Sequence, residues 1–77
     1  MPAPAGYSLG AQLLAEWRGA LTQKEACGLL DIDTATYNRF EHGVRKPSAE
    51  VAFWIEKATE GRVPAKAWWE PARKRAS

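Results

Sequence analysis

The chain has 77 residues, 45% of them hydrophobic, with 11 Lys and Arg against 9 acidic residues and a formal charge of +2. This length holds one domain with one modest core. A single Cys excludes an internal disulfide, and with no leader and no long apolar run the expected protein is soluble and cytoplasmic.

In chain order, MPAPAG carries two prolines and no charged side chain, so residues 1–7 are expected to form a flexible arm. Ser8 suits a helix N-cap. Leu9, Leu13 and Trp17, at four-residue spacing, give a first helix an apolar stripe that stops at Gly19. Leu13, Leu14, Trp17 and Leu21 are assigned to the core. From Gln23, the residues Ala26, Cys27 and Leu30 share one face of a second helix. Asp31, Ile32 and Asp33 make a turn in which Ile32 plugs the angle and Asp33 caps the next helix. Tyr37 and Phe40 form the inner face of that third helix, leaving Thr34, Ala35, Thr36, Asn38 and Arg39 outside. Gly43 ends it as a left-handed C-cap.

Ser48 caps a fourth helix whose face reads Val51, Ala52, Ile55 and Ala58, and Gly61 stops it. Val63 packs back on the core. Pro64 starts a short final helix bearing Trp68 and Trp69, which either folds back to cover the core, or offers a dimer contact, or does both with one Trp inward and one outward. Pro71 ends that helix, and residues 71–77 are expected to be a basic tail.

Leu21-Thr22-Gln23, the small Cys27, Leu30, Ile32, the run Tyr37-Asn38-Arg39-Phe40-Glu41, Gly43 and Lys46-Pro47-Ser48 together resemble the small helix-turn-helix regulators of the Cro and phage-repressor type, the XRE class. The stretch Ile55 to Pro64, followed by Trp68, is similar to the end of YdaS-like and Cro-like phage regulators. Residues 9 to 69 carry the likeness. It implies an all-α fold, a compact five-helix lambda-repressor-like domain over residues 8–70. Three positions depart from the family pattern. Asp31 stands where Gly usually takes a left-handed turn, Gly28 weakens the second helix by about 1 kcal/mol relative to Ala, and Tyr37 replaces a branched aliphatic, so its hydroxyl needs a partner or solvent.

A helix fits the DNA major groove, where each base pair offers a different donor and acceptor pattern. The outer residues of the third helix are therefore the candidate base readers. Arg39 can bond guanine bidentately, Asn38 can read adenine or hold a phosphate, and Thr34, Ala35 and Thr36 suit thymine methyls. Gln23 matches the position where the family grips a phosphate, at a helix start that attracts anions. Lys24, His42, Arg45 and Lys46 are further phosphate candidates, each with the alternative of a solvated side chain. The +2 charge decides nothing here, because phosphate binding depends on where cations lie. Glu41 is expected in an intramolecular pair or a cap. Cys27 reads as a small buried hydrophobe, with a redox switch as the sharper alternative.

Phe53, Trp54, Trp68 and Trp69 exceed what so small a core easily buries and are candidates for a dimer contact. One His, one Cys and scattered acids suggest no metal site. No catalytic constellation or cofactor motif can be assembled, so no enzyme is expected. The expected function is a sequence-specific regulator of a phage or prophage type that binds a palindromic DNA operator as a homodimer in a bacterial or phage-infected cell. The rival reading is an antitoxin-like or adaptor protein holding a protein partner on its aromatic C-terminal surface.

Overall fold

Each α-helix begins where a short polar side chain accepts a hydrogen bond from the backbone N–H three residues on. Ser8 accepts from Ala11 at 3.1 Å, Thr22 from Glu25 at 3.1 Å, Asp33 from Thr36 at 3.0 Å and Ser48 from Val51 at 3.3 Å. The computed structural model describes residues 7–73. In order these form α1 (Leu9–Arg18), α2 (Gln23–Leu30), α3 (Thr34–Glu41), α4 (Ala49–Ala58) and a 3₁₀ helix (Ala65–Trp69). The all-α class holds, but the expected fifth α-helix is this five-residue 3₁₀ turn. It is too short for an α-helix to gain much by propagation beyond its first hydrogen-bonded turns.

Helix ends follow from left-handed residues. Asp31 adopts φ 55° and ψ 45°, the conformation its family position requires, and Ile32 N–H returns to Cys27 O at 3.1 Å. At the end of α3, Gly43 has φ 73°, with Gly43 N–H on Phe40 O and Val44 N–H on Arg39 O at 3.2 and 3.0 Å. At the end of α4 the left-handed turn starts at Glu60, φ 55°, one residue before Gly61, which is also left-handed at φ 83°. The stop expected at Gly61 thus takes two residues, because Gly61 N–H must reach Glu56 O at 2.8 Å.

The core gathers Leu14 from α1, Leu30 from α2, Tyr37 and Phe40 from α3, Ile55 from α4, then Val63 and Trp68. Trp68 is fully buried, with its ring edge-on to Phe40 at 5.9 Å and 60°. Leu13 and Trp17 pack on this core half-buried, whereas Leu21 stays outside the cluster. The 3₁₀ helix is moored to α4 by Ala65 N–H on the Glu56 carboxylate, at 2.7 Å. Just before it, Thr59 Oγ1 donates to Ile55 O at 2.8 Å and accepts from Val63 N–H at 3.1 Å.

The two ends of the described chain meet over α1. Leu9 N–H donates to Glu70 O at 2.7 Å, Ala72 N–H to Tyr7 O at 3.3 Å, and Ser8 faces Pro71 in an antiparallel bridge. The Gln12 amide then clamps Arg73 from both sides, accepting from its N–H at 2.8 Å and donating to its carbonyl at 3.2 Å. Tyr7 from the expected arm and Ala72 and Arg73 from the expected tail are hydrogen-bonded to one another or to α1. The remainder of both segments lies outside the described residues. No helix among the described residues is long and apolar enough to cross a membrane.

Candidate nucleic-acid interface

Helix α3 is pinned from behind, which leaves one face free. Tyr37 and Phe40 anchor it in the core, and Glu41, at its last turn, takes a two-pronged bond from the Arg18 guanidinium of α1 at 2.9 and 2.8 Å. The Arg18 Nη1 also donates to Leu21 O at 2.9 Å, so one side chain ties together the end of α1, the loop after it and α3. Glu41 therefore forms the intramolecular pair expected of it. Burial pushes its carboxyl up, but the two bonds from the Arg18 guanidinium, with its charge and the nearby Tyr37 hydroxyl dipole adding, outweigh that and hold it below the ordinary carboxylate range. The Tyr37 hydroxyl neither reaches solvent nor makes a well-formed hydrogen bond among the described residues. Burial first, then the Glu41 carboxylate, pushes its pKa far up, so it stays protonated.

On the opposite face Thr34, Ala35, Asn38 and Arg39 are exposed and Thr36 is half-buried. Two of these five are already engaged. Thr36 gives its backbone N–H to one oxygen of Asp33 and its hydroxyl proton to the other, at 3.0 and 2.7 Å. Those two bonds, with the Arg39 charge adding, hold the Asp33 carboxyl below its usual range. Asn38 Nδ2 donates across to Gln23 Oε1, the first residue of α2, at 3.3 Å. Among the described residues, the outward side chains of Thr34, Ala35 and Arg39 make no hydrogen bond.

The phosphate candidates come from the start of α2 and from the end of α3 and the loop after it. Gln23 and Lys24 sit at the start of α2, where the Thr22 hydroxyl and the Glu25 carboxylate form a reciprocal capping box, Glu25 accepting from Thr22 N–H at 2.9 Å. The Thr-x-x-Glu spacing is the sequence signal of such a box. His42 Nδ1 lies 2.9 Å from Asn38 O; a carbonyl only accepts, so this nitrogen carries the proton. Arg45 folds back on α3 through its N–H to Arg39 O at 3.3 Å, and Arg45 and Lys46 both line a shallow groove with Asp31, Asp33 and Thr36. All three side chains, His42, Arg45 and Lys46, are exposed.

The helix-turn-helix family model HTH_3 matches residues 14–62. The chain belongs to this family. As an XRE-type helix-turn-helix protein it is a DNA-binding transcription regulator, and the match contains both helices of the motif and every candidate DNA residue from Gln23 to Lys46. The matched region ends before Trp68, and no curated protein and no solved structure matches the chain significantly.

Of the four aromatic candidates for a dimer contact, Trp68 must be withdrawn: it is a fully buried core residue that no second chain can touch. Phe53, Trp54 and Trp69 are about half exposed, at 53%, 50% and 55%. The Trp54 indole N–H donates to Leu30 O at 2.7 Å, capping a carbonyl at the end of α2. Cys27 is buried, and among the described residues no group of three or more His, Cys, Asp or Glu could hold a metal.

Proposed function

We propose that this regulator is a phage- or prophage-type repressor that acts in the cytoplasm as a homodimer, occupying a palindromic operator and blocking polymerase. The observation that carries the reading is the free outer face of α3, braced from behind by Arg18–Glu41, with Arg45 and Lys46 exposed in the loop that follows it. Thr34, Ala35 and Arg39 read base edges from the major groove, with Arg39 on guanine. Gln23, Lys24, His42, Arg45 and Lys46 hold phosphates, which supply much of the affinity without sequence information. One reading helix covers only a few base pairs, so two copies are needed, with half-site centres about 34 Å apart. The exposed Phe53, Trp54 and Trp69 supply apolar surface for pairing.

The same exposed aromatics favour one second reading, an antitoxin-like or adaptor protein that uses them to hold a protein partner. Selection of operators from random duplex DNA, run beside the mass in solution, separates the two. An enriched inverted repeat bound by a dimer supports the repressor. Binding that is weak, unselective and steeply salt-dependent favours the partner reading.

A further inference from the structure

The hydrogen bond between Asn38 and Gln23 joins the two helices of the motif across their exposed edge. We infer that Asn38 is a positioning residue that orients the Gln23 amide toward a DNA phosphate, and that it does not read bases. This rests on the DNA-binding reading above. An amide side chain has one accepting and one donating end, and a phosphate oxygen only accepts. A free Gln23 could present either end, and it loses conformational entropy when fixed. With Asn38 Nδ2 donating to Gln23 Oε1, the oxygen is turned inward and the Gln23 NH₂ is left facing away with two protons to give.

Asn38 is suited to this by its own restraints. It lies in the middle of α3, in the turn that Tyr37 and Phe40 fix in the core. Its carbonyl is taken by His42 through both the backbone N–H, at 3.0 Å, and Nδ1, at 2.9 Å. Its side-chain NH₂ is the group that would bond the adenine N7, so the proton given to Gln23 is withdrawn from base reading. Gln23 itself sits on a helix start that is rigidly closed by the Thr22–Glu25 box, which also removes the Glu25 carboxylate from competition for the amide.

The test is a double-mutant cycle on DNA binding with the intact protein. Asn38→Ala, Gln23→Ala and the double variant are titrated with the selected operator and with an unrelated duplex, and the selection is repeated with Asn38→Ala. The expected result is a loss of about 3- to 10-fold for Asn38→Ala on both duplexes alike. The operator preference should be unchanged, and no further loss should appear when Gln23 is already Ala. The melting temperature should not fall, because the pair is exposed and Ala is the better helix former. Additive losses, or a changed preference at any operator position, would overturn the positioning role while leaving the repressor reading intact. Failure of the wild-type chain to bind either duplex would overturn both.

Discussion

Gly10 of α1 lies directly against the indole of Trp68: a Cβ placed on Gly10 would sit 2.4 Å from Trp68 Cδ2 and 2.7 Å from Cε3 and Cγ. No flexible side-chain end can give way there, since the ring is fully buried and braced by Phe40. The glycine is what lets the 3₁₀ helix close over α1. Gly10→Ala should therefore destabilise the fold by about 1–3 kcal/mol through overpacking, more than the roughly 1 kcal/mol that Ala gains in helix propensity. Urea unfolding checks it, and a variant as stable as the wild type would mean that Trp68 has room to move.

Gly28 is the opposite case. It lies in the middle of α2, exposed, and a Cβ there would meet nothing within 4 Å. Gly28→Ala should raise stability by about 1 kcal/mol, by helix propensity alone. The measured midpoint should shift while the urea m-value and the DNA affinity stay as they are.

These two glycines show what can be read from sequence here and what cannot. The caps at Ser8, Asp33 and Ser48 and the left-handed Asp31 were legible, because each involves residues within one turn. So was the exposed row Thr34, Ala35, Asn38 and Arg39, which periodicity alone places outward. Gly10 was not, since its constraint comes from Trp68, far along the chain. The same holds for Arg18 with Glu41, 23 residues apart, and for Gln12 with Arg73, 61 apart. Nor could a five-residue segment tell a 3₁₀ turn from an α-helix, because their periods barely diverge over so few residues.

The Arg18–Glu41 pair should give two variants with different pH responses. Glu41 is held below the usual carboxylate range, so its contribution is fully present above the unfolded pKa and is lost as pH falls through the folded one. Wild-type stability should therefore drop on acidification, and Glu41→Gln should flatten that part of the drop. In Arg18→Met the buried Glu41 keeps its desolvation and loses its partner, so its pKa rises and stability is recovered as pH falls toward it. At neutral pH this variant should cost about 2 kcal/mol or more, short of the ~3–5 kcal/mol of a fully buried pair because the Arg18 side chain is 26% exposed. Urea melts from pH 3 to 8 decide it, and parallel profiles for the two variants would show that the pair does not set the pH response.

Arg39 in α3 and Lys46 in the loop after it are proposed to do different work, and DNA binding should separate them. Arg39 projects from the free face of α3, where a guanidinium can meet guanine O6 and N7 together. Lys46 lies in the loop beyond the helix, lining a groove with Arg45, and is proposed to meet a backbone phosphate. Arg39→Ala should cost about 1–3 kcal/mol on the selected operator, much less on an unrelated duplex, and should relax the preference at one or two positions in a repeated selection. Lys46→Ala should weaken all duplexes by a similar factor, leave the preference alone and lower the slope of log K against log salt by about one. If Arg39→Ala left the operator preference intact, base reading would have to pass to Thr34 and Ala35. A Lys46 variant with the wild-type salt slope would place that ammonium away from the phosphates.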